Sequence, residues 1–579
     1  MDLREVKTRQ DLATLLNIKN SQLTYILYVK STEEFYTSFA VPKKNGGIRK
    51  ISAPGGNLKY VQRRLANLLW EHEKKIREEK NINAQISHAF EEHKSTFTNA
   101  WKHRNKKIVV NFDLENFFES IHFGRVKGFF QRNRNYELPE DVAVILAQLT
   151  CYKGSLPQGA PTSPILTNLI CHILDMKVLS LAKKYRLDYT RYADDMTFST
   201  NDTKFAKHYE KFCDELSRLI MHEGFSLNHS KTRIQFKGRR QEVTGLVVNQ
   251  KVGVPREFYK ETRAMAHALY TNGEYSINGF KGTLNQLQGR FAYINAIDKH
   301  NNELSGRMEG KDPFRKLNGR EKQFQRFLFY KYFFANPSPL IVTEGKTDIL
   351  YIKAAMKNLY REYPKLISRR DDGTFEFHIS FLNRTKRTRF FFNLQVDGAD
   401  SMSSIYYFSS GCLSDRAYPN HIDFFKKLSG QQAQNVVILL FDNEWNDKPL
   451  SKFVKNVVKL NDESQRILKI EERKLLVDNL YLLLTPMMDK NKIQSDIEML
   501  FESETLSVQI GGKKFSKSDQ YDKTLFYGKN EFAKYVMRHY QEIDFSNFRP
   551  LLTNMTRILE EYEKRTAAFQ PPAIIVKGE

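Results

Sequence analysis

Two spacings of hydrophobic positions alternate along the chain and divide it into elements. Leu12 to Leu27 and Leu58 to Glu79 carry apolar residues at helical spacing with charged residues between, which predicts amphipathic helices. Between them, Val41-Pro-Lys-Lys-Asn-Gly-Gly-Ile-Arg-Lys-Ile-Ser-Ala-Pro54 predicts a hairpin turning at Asn45-Gly46-Gly47. From Ile108 to Phe236 short apolar runs of strand length alternate with helical patterns. Asp298 to Lys322 is polar and charged, which predicts a flexible segment late in a first domain. Asn336-Pro-Ser-Pro339 punctuates the chain, and a new strand–turn–helix pattern begins at Leu340. Asn435 opens a run to Phe441 that is apolar from Val436 on, too short for a membrane and right for a buried parallel strand. The pattern predicts a domain over 1–335 and another over 336–579, with no internal repeat.

A chain of 579 residues exceeds one hydrophobic core, and 41% hydrophobic residues support folding over disorder. Lys and Arg number 91 against 67 Asp and Glu, a formal charge of +24. That surplus points to a polyanionic partner, since neutralised phosphates release counterions; a generically basic surface is the plainer alternative. Cys151, Cys171, Cys213 and Cys412 are scattered, with no zinc-like spacing, which predicts a reduced, cytoplasmic protein. No apolar run approaches membrane-spanning length and the first twenty residues lack a signal-peptide core, so no membrane association is expected.

Candidate chemistry begins at Asp113, which follows the apolar run Ile108-Val-Val-Asn-Phe112. A buried strand gives a carboxylate at its end a rigid base, although a lone Asp there is more often a cap. Tyr189 to Tyr192 and Met196 to Ser199 read as strands joined by a tight turn carrying Asp194 and Asp195. Two neighbouring acids repel one another, and a cation is the natural compensation. Nucleotidyl transfer uses two Mg²⁺ ions about 4 Å apart, and one strand-end acid with two hairpin-tip acids can supply that clamp.

These motifs give the chain a resemblance. Residues 36 to about 290 resemble a reverse transcriptase of the bacterial retron class: Tyr192-Ala-Asp-Asp195 after Asp113, Leu156-Pro-Gln-Gly-Ala-Pro-Thr-Ser-Pro164, and Gly224-Phe-Ser-Leu-Asn228 with Lys231, all in the family's order. Asn99-Ala-Trp-Lys-His103 and Val243-Thr244-Gly245 resemble short elements flanking the polymerase motifs in retron enzymes. The resemblance implies an α+β right-hand polymerase, with fingers and palm to about residue 250 and a thumb over about 251–335. It implies that Asp113, Asp194 and Asp195 hold Mg²⁺ and that Lys231 protonates pyrophosphate. Arg49, with Lys43 or Lys44, would meet the triphosphate; Gln158 and Gly159 would lie at template and nucleotide, and Phe118 would exclude a ribose 2′-hydroxyl. Asn99, His103, Val243, Thr244 and Gly245 are implied RNA contacts; Arg256, Lys260, Arg263 and Arg290 are candidate phosphate contacts. Implied partners are dNTPs, a cognate structured noncoding RNA and the RNA-linked single-stranded DNA primed from its 2′-hydroxyl; homo-oligomerisation stays open.

The second half places Glu344 after the run Leu340-Ile-Val-Thr, and Asp442-Asn-Glu444 after the run ending at Phe441. Acids at the C-terminal ends of neighbouring parallel strands converge on one sheet edge. The pattern resembles an α/β Toprim domain with a mainly parallel sheet, as in nucleases of the overcoming-lysogenization-defect (OLD) family. There Glu344, Asp442 and Glu444 would bind Mg²⁺ or Mn²⁺, with Glu498 as a further ligand and Lys529 stabilising the transition state. Glu444 departs from the usual Asp-x-Asp. Three readings stay open for this half: a nuclease effector in antiphage defence, a processing enzyme for the transcript, and an inactive assembly module. A group II intron or diversity-generating reverse transcriptase is the alternative for the whole chain.

Overall fold

The computed structural model describes residues 2–42, 46–82, 86–304, 317–395, 402–411, 418–446, 449–488, 494–518 and 520–568. The chain forms two compact units, Met1–Arg256 and Glu257–Glu579. The Pro-rich punctuation at 336–339 therefore lies inside the second unit. The reason is packing: Phe324, Phe327, Phe329 and Phe333 share one buried core with Leu340, Val342, Val437 and Leu439, so the helices preceding residue 336 join the sheet that follows it.

In the first unit, β1 (Tyr36–Pro42) and β2 (Ile48–Pro54) form the expected hairpin, paired antiparallel from Tyr36↔Pro54 to Pro42↔Ile48. The helix Gly56–Glu79 follows, burying Leu58, Val61, Leu65, Leu69 and Ile76, the stripe that its spacing predicts. Leu12 to Leu27 departs from expectation. Asn17 adopts φ +51°, and two helical segments replace one long one: Arg9–Leu15, and Asn20–Thr24 continued by a π-helical turn, Tyr25–Val29.

The central sheet contains β3 (Ile108–Glu115), β4 (Asp188–Tyr192), β5 (Asp195–Thr200), β6 (Ser226–Leu227) and β7 (Arg233–Phe236). Its order is β4-β5-β3-β6, with β7 also on β3, and every pair is antiparallel. The helix Ser163–Lys184 packs on it. By length and apolar composition this helix could cross a membrane, contrary to the expectation that no segment approaches that test, but 67% of its apolar window is buried in the unit. Its Leu166, Ile170 and Leu174 belong to the core, and Asp175 lies buried on the same helix.

The second unit begins with the helices Arg256–Asn272, Leu284–Leu304 and Gly319–Phe329. Asp298 to Leu304 and Gly319 to Lys322 are thus helical rather than flexible; residues 305–316 lie outside the described residues. A five-stranded sheet follows in the order Ser380–Phe381, Leu340–Val342, Val437–Phe441, Leu480–Leu484, Arg473–Val477. The first three pairings are parallel and the last antiparallel. Val437–Phe441 and Leu480–Leu484 are buried at every position, which is why they read as unbroken apolar runs.

Candidate active sites

Asp113 and Asp195 are direct partners across the β3–β5 ladder. Asp194 sits in the two-residue turn between Tyr192 and Asp195, and its carbonyl accepts a hydrogen bond from the Leu114 amide at 2.9 Å. The turn is held from below. Ala193 takes φ +55°, a left-handed conformation that costs a non-glycine residue about 1–2 kcal/mol. The fully buried Arg191 donates to the Ala193 carbonyl at 3.1 Å and forks onto both oxygens of Asp175 at 2.8 Å. A bidentate, desolvated pair of this kind fixes geometry as well as charge.

The three carboxylates line one cleft of about 1090 Å³ with Arg49, Gln158, Asn228, Lys231 and Gly245. Burial, then the neighbouring Asp194 and Asp113, pushes Asp195 up to about 7; burial and Asp113 raise Asp194 as well. The Lys231 ammonium lies 2.9 Å from each oxygen of Asp113, and this hydrogen bond raises the lysine. The site thus holds excess negative charge and draws a cation to it. Among the described residues no three His, Cys, Asp or Glu side chains already stand at metal-ligating distances. The donor set fits divalent ions by oxygen chemistry and by mutual repulsion, which a cation would relieve.

Gly159 shows why the loop reads Gln-Gly. Its φ is +124°, and a Cβ there would meet the Ser52 carbonyl oxygen and the Ile51 side chain at 2.9 Å. The Gln158 carbonyl accepts from the Ser52 amide at 2.8 Å, so the loop is pinned to β2. Arg49, exposed on β2, lowers Asp194 electrostatically, while Lys43 and Lys44 lie outside the described residues. Phe117, rather than Phe118, lines the cleft; Phe118 is half-buried and packs edge-on against it at 5.4 Å.

Several expected RNA contacts need correction. Asn99, His103 and Val243 are fully buried and have no surface to offer RNA. His103 bridges Thr190 on β4 and Ser199 on β5, at 2.8 Å each, and Asn99 accepts from Thr190. Burial pushes His103 down to about 3, so its ring is neutral at physiological pH. These side chains brace the strands that carry the aspartates. Thr244 is half-buried and bonds the Thr96 carbonyl; Gly245 is exposed at the cleft. Arg290 ties two helices together through Thr262, the Phe258 carbonyl and Glu261, while Arg256, Lys260 and Arg263 are exposed.

In the second unit, Glu344 and Asp442 follow the C-terminal ends of adjacent parallel strands. The Asp442 amide donates to Glu344 at 2.9 Å, and Thr485, beyond the next strand, donates to Asp442 at 3.3 Å. Asp348 opens the helix Asp348–Asn358 and accepts from the Gly345 amide at 2.7 Å. Glu344, Asp348, Asp442 and Glu498 line one cleft of about 310 Å³ with Lys517 and Lys529. Lys529 meets Glu498 as an ion pair at 3.0 Å, off the line of a hydrogen bond. Burial, then Asp348 and Glu444, raises Glu344 to about 7; burial, then Glu498, raises Asp348 to about 6. Burial, then Glu344, raises Asp442 as well.

Glu444 does not line this cleft; it acts on Glu344 from outside. The position that the sequence reading missed is Asp348. Its signal was available: an acid four residues after Glu344 across a Gly-containing turn, where a helix start brings it back to the strand end. Asp496 was missed too; it caps the turn bearing Glu498, is paired with Lys517 at 3.0 Å, and raises Asp442.

An antiparallel sheet with one strand-borne and two hairpin-borne aspartates, facing an arginine-bearing hairpin, defines a template-directed polymerase of the reverse transcriptase class. The sequence pattern of the family described as Reverse transcriptase (RNA-dependent DNA polymerase) matches residues 41–253. The chain is 31% identical over 318 residues to the Retron Mx65 reverse transcriptase of Myxococcus xanthus, covering 52% of this chain and 71% of that relative. It is 36% identical over 279 residues to the Retron Ec86 reverse transcriptase of Escherichia coli, covering 47% and 82%. The chain belongs to the retron reverse transcriptase family and is an RNA-directed DNA polymerase. Among solved structures, apo telomerase from Candida Tropicalis truncated from its C-terminal domain superposes only slightly, with a TM-score of 0.29 and 14% identity over 40% of this chain and 56% of that one.

Proposed function

We propose that the first unit copies its own structured noncoding RNA, primed from an RNA 2′-hydroxyl, into branched RNA-linked single-stranded DNA. We further propose that the second unit is a Toprim-type metal-dependent nuclease that acts in antiphage defence. The polymerase reading rests on the in-register pairing of Asp113 with Asp195, with Asp194 at the adjoining turn, in a cleft shared with Arg49 and Gln158. Asp113, Asp194 and Asp195 would hold Mg²⁺, which supplies Lewis-acid activation and charge neutralisation when bound. Arg49 is placed to neutralise the dNTP triphosphate, a task suited to a guanidinium fork. Lys231, already protonated beside Asp113, is a proton source for the departing pyrophosphate once that contact opens.

The nuclease reading rests on the convergence of Glu344 and Asp348, four residues apart, with Asp442 and Glu498 from two further segments, into one cleft with Lys529. Hard carboxylate oxygens suit Mg²⁺ or Mn²⁺, and Lys529 can neutralise charge that builds on a phosphate under attack. Such an activity would harm its host unless restrained, so the RNA–DNA product would hold the unit inactive by binding that state preferentially; equal affinity for both states would shift nothing. The three described cysteines are free thiols, which suits a cytoplasmic protein.

Sequencing the nucleic acid that co-purifies with the protein tests the first proposal: DNA joined to a single RNA species is expected, and random cellular RNA would overturn it. Comparing phage protection by the parent and Glu344→Ala tests the second. Full protection by the variant would leave the second unit as a processing or assembly module.

A further inference from the structure

A third cleft, in the second unit and sharing no lining residue with either carboxylate site, is built from donors. It encloses about 320 Å³ and is lined by Lys260, Arg263, His267 and Tyr270 of the helix Arg256–Asn272, by Gln323 and Arg326 of the helix Gly319–Phe329, and by Phe424. Lys260, Arg263 and His267 share one helical face at i, i+3 and i+7. The two nearest acids on that helix point their charge elsewhere or away: Glu261 is paired with Arg290 at 3.0 Å, and Glu257 does not line the cleft. Asp423, beside Phe424, is paired with Lys427 at 2.8 Å. Among the described residues Lys260, Arg263 and Arg326 have no carboxylate partner.

Two polar atoms at the cleft are left without hydrogen-bond partners. Tyr270 is 4% exposed, wedged between Tyr330 and Phe425, and its hydroxyl has no partner; the Arg326 Nε is likewise buried and unpartnered. A buried hydroxyl left unsatisfied is costly, so it marks a place where a ligand atom would complete the hydrogen bonding. The Arg326 guanidinium lies 4.2 Å from the centre of the Phe424 ring, leaving a stacked cation–aromatic platform beside the donors. A site with six donor side chains, no lining carboxylate and one aromatic platform selects a phosphate with a planar group attached.

We infer that this cleft binds a nucleoside phosphate, with Tyr270, Arg326, Lys260 and Arg263 on the phosphate and Phe424 against the base. The volume accommodates one nucleotide and not a duplex. The source is either a nucleotide within the single-stranded DNA product or a free nucleotide. The site stands apart from both proposed activities, because binding here needs neither divalent metal nor any carboxylate of the two active sites.

The test uses the full chain freed of nucleic acid at high salt, in EDTA, with calorimetric titration of three probes: inorganic phosphate, dTMP and a short oligothymidine. Tyr270→Phe is the informative variant, since it removes one oxygen and keeps the packing. Tyr270→Phe should weaken binding roughly threefold to tenfold, as expected for one hydrogen bond to a charged group, and Lys260→Gln with Arg263→Gln should weaken it further. Tight oligothymidine with weak dTMP assigns the DNA strand as the source; equal affinities assign a free nucleotide. The inference fails if dTMP and oligothymidine do not bind. It also fails if they bind with affinities that Tyr270→Phe and the double variant leave unchanged, while thermal stability shows both folded.

Discussion

The two carboxylate sites solve the same electrostatic problem with different backbones. In the first unit Asp113, Asp194 and Asp195 come from two adjacent antiparallel strands, and the hairpin turn places two acids next to each other in sequence. In the second, Glu344, Asp348, Asp442 and Glu498 come from two parallel strand ends, a helix start and a short turn. The first cleft is about 1090 Å³ and the second about 310 Å³. The wide one suits a template, a primer and a nucleotide together; the narrow one, with Lys346, Lys517 and Lys529 on its wall, suits a single phosphate. Antiparallel register concentrates the acids of a site, and parallel topology disperses them along the chain.

The sharpest break between the sites is removal of their acids. Asp194→Ala with Asp195→Ala should reduce dNTP incorporation more than about a thousandfold, since each lost electrostatic contact at a reacting phosphate is worth about 10²–10³. RNA binding, measured beside it, should stay close to the parent because phosphate capture rests on basic residues. Retained synthesis of full-length DNA would dissolve the assignment of the hairpin.

Glu344→Ala and Asp348→Ala should each lower phosphodiester cleavage by about 10²-fold, with DNA synthesis unchanged. Asp348 separates the structural reading from the sequence reading. Cleavage assays on the pair Asp348→Asn and Glu444→Gln should show the larger loss at Asp348, which lines the cleft, and the smaller at Glu444, which does not. The reverse order would mean that the strand-end Asp-x-Glu, not the helix start, carries the metal.

The contrast also explains what could be read before the structure. The hairpins, the strand bearing Asp113 and the Tyr-Ala-Asp-Asp turn were legible because short apolar runs and turn residues are local signals. Glu344 and Asp442 were legible for the same reason, each closing an apolar run. Asp348 carried a fainter signal, an acid beyond a Gly-containing turn, whose meaning depends on where a helix begins relative to a strand end. Asn99 and His103 were misread as RNA contacts because their motif marks a buried brace: the sequence shows polar residues and does not show that Thr190 and Ser199 come to meet them. The division of the chain at Arg256 was hidden because aromatic helices pack on a sheet that starts beyond a Pro-rich break.

A smaller effect tests whether the first site depends on its buried support. Arg191→Leu leaves the buried Asp175 with the Tyr189 hydroxyl alone as its partner, and breaking such an ion pair costs about 3–5 kcal/mol. The thermal midpoint should fall by several degrees or more, and the Ala193 carbonyl loses its donor. Replacing the pair together, Arg191→Leu with Asp175→Leu, should recover part of the stability, the Tyr189 hydroxyl losing its acceptor, while polymerisation stays low because the turn is no longer held. Full activity in the double variant would reduce the pair to packing.

The finest comparison lies within the first site, between two adjacent rings. Phe118 stands at the position expected to exclude a ribose 2′-hydroxyl, yet Phe117 is the ring on the cleft wall and Phe118 packs half-buried against its edge. If Phe118 is the gate, Phe118→Ala opens space at the sugar and rNTP incorporation rises relative to dNTP by roughly 10- to 100-fold, the scale on which pockets reject one extra group. If Phe117 is the gate, Phe117→Ala produces that shift and Phe118→Ala mainly destabilises. Phe117 is 3% exposed and also stacks on Phe225, so its removal leaves a cavity costing about 3–5 kcal/mol; Phe117→Leu is therefore the usable variant. Incorporation ratios for Phe118→Ala and Phe117→Leu, measured at a temperature where both are folded, decide between adjacent side chains. We expect the larger shift at Phe117→Leu, because Phe117 is the ring on the cleft wall, whereas loss of Phe118 leaves that wall in place, fixed by the stack of Phe117 on Phe225.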